Sequence, residues 1–170
     1  MSEDKVCRVW LYARIPGDYV GTMDSIKVCA IQAEADGCEI VGSSTDNHHG
    51  WLRRPGYREM MRRVRKGEID AVYFCRMRQI SRREHRLFFF FRQLMKHGVK
   101  AAATEYNIEY RANNFKFGRK VESYAAKHGL ESPYLRRGAV PQEQYQQARH
   151  FAVMTANRPL VRGDKSPKIP

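Results

Sequence analysis

The sequence predicts an α/β protein with a parallel β-sheet between two layers of helices, a three-layer (Rossmann-like) fold that continues into a helical C-terminal extension. Two observations predict this class. Four short runs of β-branched, aromatic or small apolar residues alternate with segments of helical periodicity. Each helical segment stops close to a glycine, a common helix C-terminus. Strands that alternate with helices of this length imply crossover connections, and therefore parallel pairing.

The first strand–helix–strand unit occupies residues 6–44. Residues 6–13 (VCRVWLYA) predict the first strand. Residues 24–35 place apolar side chains three or four positions apart, which predicts a helix, and Gly37 follows as its stop. Residues 38–44 (CEIVGSS) predict the second strand.

The same alternation occurs twice more. Pro55 suits the first position of a helix that ends near Gly67, and residues 70–75 (DAVYFC) predict the third strand. Residues 84–97 predict another helix, and residues 99–104 predict the fourth strand. We therefore expect an α/β domain that closes near residue 108.

The remainder of the chain predicts no second globular domain. We place the α/β domain at residues 1–108, a helical extension with helices at 113–127 and 141–155 within residues 109–157, and a basic, disordered tail at residues 158–170. The two helices are too far apart for a helix-turn-helix module. Sequence-specific DNA reading is therefore not expected from this chain alone.

Positive charge is concentrated in the middle of the chain. The 170 residues include 31 Lys and Arg against 18 Asp and Glu, a net charge of +13, and residues 51–100 hold fifteen of these basic residues with four acids. A localised excess favours a polyanionic partner, with nucleic acid ahead of an acidic membrane surface.

Several other classes of protein are not expected. No signal-peptide-like segment or long apolar run occurs, so we expect a cytoplasmic protein without membrane contact. The four cysteines lack metal-ligand spacing, and adjacent His48 and His49 suit a solvated loop. We expect no metal and no cofactor.

Charged residues follow the predicted strands. Ligands of parallel α/β sheets bind beyond the carboxyl ends of the strands. In this chain those ends lie near Arg14, Asp46, Arg76 and Glu105, and the first three loops are rich in charged residues. We interpret these loops as one binding site.

The same loops carry a family resemblance. The motifs are, in chain order, Tyr12-x-Arg14, Ser25-Ile26, Asp46, Arg54-Pro55-Gly56, Gly67-x-x-Asp70-x-Val72 and Ile80-Ser81-Arg82. Together they resemble the catalytic domain of the serine recombinases, the resolvase and invertase family, over roughly residues 6–107. The resemblance implies the resolvase catalytic-domain fold.

The resemblance also implies a chemistry. In this family a serine two residues after the arginine of Tyr-x-Arg attacks a DNA phosphodiester, several arginines stabilise the charge on phosphorus without a metal, and four subunits exchange strands. Matching residue by residue implies phosphate or DNA binding by Arg14, Asp46, Arg54 and Arg82.

The chain departs from the family at the reacting group. Pro16 occupies the serine position and offers no atom that can attack phosphorus. In the third-strand loop Arg78 stands for an acid and Gln79 for an arginine, and Cys29 stands where a glutamine is usual. We therefore expect no intact catalytic residue, and we include Arg78 among the DNA-binding arginines.

These departures predict a cleavage-deficient, DNA-associated accessory protein. It would act as a homo-oligomer or in a hetero-oligomer with an active serine recombinase. Two alternatives stay open: an α/β module for a phosphate ligand or RNA, and an active recombinase with a displaced nucleophile, for which Ser81, Tyr19 and Cys29 are candidates. The arginines alternatively form a solvated ion-pair cluster with neighbouring acids.

A run of four phenylalanines, Phe88, Phe89, Phe90 and Phe91, interrupts the polar pattern of the helix predicted at residues 84–97. Successive helical residues turn by about 100°, so the four rings point in four directions. The core accommodates two or three of them. The others meet either the returning C-terminal segment or a subunit interface.

Overall fold

The computed structural model describes residues 5–50, 53–105 and 116–135. Its elements are, in chain order, β1 (Arg8–Arg14), α1 (Tyr19–Ala35), β2 (Glu39–Asp46), α2 (Pro55–Arg65), β3 (Ala71–Phe74), α3 (Met77–Ile80), α4 (Glu84–Lys96), β4 (Lys100–Ala103) and α5 (Lys116–His128). All paired strands are parallel, in the order β2-β1-β3-β4. The predicted fold class is confirmed.

Helices cover both faces of the sheet. On one face Val28, Cys29 and Ala33 of α1 pack against the sheet in an apolar cluster that includes Leu11 and Tyr73. On the other face α2, α4 and α5 surround a larger cluster. The three layers follow from strands that are apolar on both sides.

Two elements differ from the sequence prediction. Helix α1 begins at Tyr19, five residues earlier than expected, because the Asp18 carboxylate accepts a hydrogen bond from Gly21 N (2.8 Å) and caps the helix. The loop after β3 contains the short helix α3, which the sequence did not predict.

The segment after β4 shares the core of the sheet. Phe117 of α5 stacks on Phe91 of α4 with ring centroids 6.2 Å apart. Tyr134 then returns beside Ala101 of β4. A boundary at residue 108 thus separates the sheet from a helix that packs in the same core. The second predicted helix, at 141–155, and the tail at 158–170 lie outside the described residues.

An ion pair lies at the amino-terminal ends of β1 and β3, opposite the strand carboxyl ends. Arg8 Nε lies 2.9 Å from Asp70 Oδ2, which also accepts from the Arg8 backbone N–H (3.0 Å). These hydrogen bonds lower the pKa of Asp70 from its usual 3.8 to about 2. The pair therefore links β1 to the start of β3.

This lowered pKa predicts an acid-sensitive contribution to stability. Because the folded pKa lies below the unfolded one, the contribution is complete above about pH 4 and is lost as the pH falls towards 2. The Asp70 side chain is 29% exposed, so we expect about 1 kcal/mol after solvent screening. Urea denaturation of the wild type and D70N at neutral and acidic pH measures it. An equal loss of stability on acidification in both proteins would contradict the assignment.

Candidate functional site

The topology creates a crevice between β1 and β3. Helix α1 leaves β1 towards one face of the sheet, while α4 follows β3 on the other face. Adjacent strands whose connections diverge in this way form a switch point, where α/β proteins bind ligands. The loop that starts at Arg14 and the loop that starts at Arg76 line this crevice.

A rigid turn occupies the first of these loops. Asp18 N donates to Ile15 O (3.1 Å), Pro16 takes the second position, and Gly17 takes the third with φ +75°. Proline followed by a residue of positive φ is the pattern of a type II turn. Gly17 N also donates to Asn47 O (2.9 Å), which ties the turn to the end of β2. Pro16 therefore stiffens the loop that follows β1.

Asp46 is a buried carboxylate at the end of β2. Its carboxylate accepts from Tyr12 Oη (2.9 Å), Gly56 N (2.8 Å) and Tyr57 N (2.8 Å), and the residue is 2% exposed. The two backbone donors belong to the first turn of α2, so Asp46 caps that helix from β2. All of these are contacts to the protein itself, so Asp46 positions the start of α2 against β1 and β2.

Gly56 allows the start of α2 to lie close to the backbone of β2. A Cβ atom at residue 56 would lie 2.6 Å from Thr45 O, well inside contact distance. Only glycine lets the start of α2 come this near to the β2 backbone. The Arg54-Pro55-Gly56 motif is thus explained locally by a proline at the helix start and a glycine at the contact.

Arg54 joins the start of α2 to β1 and to the loop after β3. The residue is 3% exposed, and its guanidinium donates to Tyr12 Oη (2.6 Å), Ile80 O (2.6 Å) and Gln79 O (3.1 Å). Its Cζ lies 4.5 Å from the ring centroid of Tyr57. Burial raises the pKa of the Tyr12 phenol, which therefore stays protonated and donates to Asp46. The buried Arg54 guanidinium therefore links Tyr12 of β1 to the α3 segment.

Arg14 and Arg82 are the more accessible cations of the crevice. Arg14 is half-buried, and its Nη2 donates to His48 O (3.2 Å). Its buried Nε has no hydrogen-bond partner among the described residues. Burial, and then the nearby charges of Arg54 and Arg82, lower the pKa of Arg14. Arg82 is exposed. Positive charge thus accumulates here beyond what the neighbouring acids neutralise.

The remaining arginines of the third-strand loop differ from one another. Arg76 forms a bidentate ion pair with Glu105 at the end of β4, so its charge is neutralised within the fold. Arg78 is exposed on α3. Of the arginines predicted as an alternative to form a solvated ion-pair cluster with Asp46, Arg14 and Arg82 have no acidic partner within salt-bridge distance among the described residues.

The other altered positions lie below the crevice. Gln79 is 5% exposed, and its Nε2 donates to Ser25 Oγ (3.2 Å) of α1. Cys29 is fully buried, with its Sγ 3.8 Å from Cys75 Sγ. Burial raises the pKa of the Cys29 thiol, so it is a neutral core group. A nucleophilic role for Cys29 is contradicted by this position.

The other two candidates for a displaced nucleophile differ in access. Ser81 is 8% exposed, and its hydroxyl oxygen accepts a hydrogen bond from Arg83 N (3.1 Å). The hydroxyl is therefore bound to the backbone of its own loop. Tyr19 is 58% exposed at the start of α1. Of the three candidates, only Tyr19 stands freely accessible to a large substrate.

The phenylalanine run divides between core and surface. Phe90 and Phe91 are fully buried, and Phe88 packs edge-on against Tyr124 of α5 (centroids 6.0 Å apart). Phe89 is 48% exposed. The returning segment thus covers one of the two remaining rings. As a subunit contact only Phe89 has the required exposure, because the rings of Phe90 and Phe91 fill the monomer core.

Some residues that shape the site were not singled out from the sequence. Thr22 is fully buried, and its hydroxyl oxygen lies 2.7 Å from both Asp18 O and Asn47 Oδ1. It also accepts from Ile15 N (3.3 Å). The capping pattern of Asp18 was a readable signal for the helix start. The contact between Thr22 and Asn47 joins residues far apart in the chain and had no local signal.

The described residues contain neither a membrane-spanning helix nor a metal-ligand cluster. None of the described helices is long and apolar enough to cross a membrane. Across residues 5–50, 53–105 and 116–135, no three His, Cys, Asp or Glu side chains are grouped as a metal site.

Comparison with protein families gives one match over most of the chain. The model described as "Resolvase, N terminal domain" matches residues 9–128. This range includes the four strands, the crevice and α5. No curated protein sequence matches the chain.

Solved structures with the same fold include three recombinases. The C-terminal catalytic domain of ISC1926 TnpA, an IS607-like serine recombinase, aligns with a TM-score of 0.52 at 17% identity, over 72% of this chain and 99% of that chain. The N-terminal catalytic domain of TP901-1 integrase gives 0.54 at 16% identity, over 72% and 96%. A resolvase family site-specific recombinase from Streptococcus pneumoniae gives 0.54 at 17% identity, over 72% and 87%. At such identities the similarity shows the fold alone.

Proposed function

The chain belongs to the resolvase family through its N-terminal catalytic domain, and from this premise we propose that it is a cleavage-deficient serine recombinase homologue that binds DNA as an accessory subunit. The observation that carries the proposal is the pairing of retained arginines with a lost nucleophile. Arg14 keeps a buried Nε without a partner among the described residues, beside exposed Arg82. Pro16 supplies no nucleophilic atom at the family's serine position.

The accessory role follows from the chemistry. Cleavage in this family needs an attacking oxygen, and several arginines then stabilise the charge on phosphorus. Binding needs only cations that meet backbone phosphates. The crevice offers Arg14, Arg82 and Arg78 as accessible cations, while Gln79 has replaced a further arginine. The chain thus keeps the means to hold DNA and lacks the means to cut it.

Co-assembly would make such a subunit useful. A cleavage-deficient chain in a tetramer with an active serine recombinase blocks exchange at its own strand while keeping the assembly on DNA. Phe89, which is exposed on α4, is a candidate contact for this or for a homo-oligomer. We place this activity with DNA in the cytoplasm.

A supercoiled-plasmid assay tests the proposal. The wild type and P16S are incubated with plasmid, and nicking, covalent protein–DNA adducts and band shifts are scored as salt is raised. We expect a salt-sensitive shift without an adduct from the wild type. Contact with each duplex phosphate should contribute about −0.9 to the log–log salt slope.

The outcomes separate the alternatives. A covalent adduct from the wild type would overturn cleavage deficiency and direct attention to Tyr19. Absence of any shift would favour a small phosphate ligand or a protein partner. We expect no adduct from P16S either, because Arg78 and Gln79 depart from the family as well. An adduct from P16S would show that the absence of the serine is the only cause of cleavage deficiency. That result would still agree with phosphate binding by the arginines.

A further inference from the structure

Two large apolar side chains stand exposed beside the crevice. Tyr19 is 58% exposed and Val20 56%, the highest values among the large hydrophobic residues described. Both lie in the first turn of α1, whereas later apolar residues of that helix, such as Val28, are buried against the sheet. Exposure of this kind at the rim of a charged crevice indicates a binding contact.

The turn brings the backbone at the start of α1 back towards the end of β1, where Arg14 lies. Ile15 and Asp18 are joined by the backbone hydrogen bond of the type II turn, so their Cα atoms lie within about 7 Å of each other. Thr22 Oγ1 accepts from Ile15 N (3.3 Å) and thereby holds the first turn of α1 against the end of β1. The backbone of Tyr19 is therefore held next to the turn that follows Arg14.

The combination predicts the chemistry of the ligand. Arg14 and Arg82 favour a phosphate, and the exposed Tyr19 ring at the start of α1 favours a flat apolar group. A nucleic-acid strand presents phosphates and flat bases in alternation. In a duplex the base faces are stacked on one another, so a surface ring reaches them only where the strand is unpaired.

Building on the proposed function, we propose that Tyr19 stacks on an unpaired base of single-stranded DNA while Arg14 and Arg82 hold the adjoining phosphates. The charge of the crevice is complementary to the backbone, and the exposed ring supplies the apolar contact that a duplex leaves unused. Single-stranded DNA is thus the preferred form of the polyanion at this site.

Fluorescence anisotropy with labelled oligothymidylate and a duplex of equal length tests this preference. We expect Y19A to lower the affinity for the single strand at least about fivefold and to change duplex affinity less than about twofold. Y19F should bind like the wild type, because stacking needs the ring and not the hydroxyl. V6A is the control, since Val6 is an apolar residue of similar exposure (54%) but precedes β1, at the opposite end of that strand from Arg14.

The results distinguish this inference from the proposed function. If the wild type binds both DNAs and Y19A weakens neither, or weakens both equally, the stacking contact is wrong and DNA binding stands. If the wild type binds neither DNA, the proposed function fails as well. Oligouridylate RNA is measured in the same way. If Y19A lowers the affinity for this RNA alone and not for oligothymidylate, the choice of DNA is wrong. Circular dichroism of Y19A checks folding, which an exposed side chain should not affect.

Discussion

The R14A/R82A double variant is expected to bind duplex DNA about a hundredfold more weakly than the wild type at moderate salt. Each guanidinium that donates to a phosphate oxygen contributes on the order of 1.5 kcal/mol, which corresponds to about tenfold in affinity. The log–log salt slope should become less steep by about 2, because two phosphate contacts are lost. Band-shift titrations over a series of salt concentrations measure both quantities.

The control removes the same charge elsewhere. Arg65 and Lys66 are exposed at the C-terminal end of α2, about 16 Å along that helix from its start at the crevice. The R65A/K66A variant therefore lowers the net charge by the same amount and should weaken binding only severalfold. Equal losses in the two double variants would mean that DNA responds to overall charge, and the crevice would lose its assignment as the binding site.

D46A is expected to lower the free energy of unfolding by about 3 kcal/mol. The carboxylate is 2% exposed and accepts hydrogen bonds from Tyr12, Gly56 and Tyr57, so its removal leaves two buried donors and one partly buried donor without this acceptor. A loss of this size is a large part of the stability of an ordinary domain. Chemical denaturation followed by circular dichroism measures it.

Two further variants locate the effect. D46N keeps one carbonyl oxygen as an acceptor and should lose less stability than D46A. E39A removes an exposed acid from the other end of the same strand and should change stability by less than about 0.5 kcal/mol. If D46A resembled E39A, the capping role of Asp46 would be contradicted. If instead D46N had the wild-type free energy of unfolding but did not bind DNA, Asp46 would contribute directly to DNA binding.

The role of a charged residue depends on its surroundings, which the sequence alone does not give. The sequence places Arg14, Asp46 and Arg54 at one edge of the sheet, since all follow or precede elements whose order is readable from periodicity. It does not separate an arginine that faces a ligand from one that joins loops. Arg54 donates to two backbone carbonyls and a phenol, partners that only the packed chain brings together.

The sequence by itself determined the layer architecture of this protein, its parallel strands and the location of the crevice. These follow from local apolar periodicity and from glycine and proline positions, which act within a few residues. It also determined that no nucleophile stands at residue 16. Only the tertiary structure decided the early start of α1, the covering of Phe88 by α5 and the ion pair of Arg76 with Glu105. The helix start depends on a cap and the others on contacts between distant segments, whose geometry is set when the whole core packs.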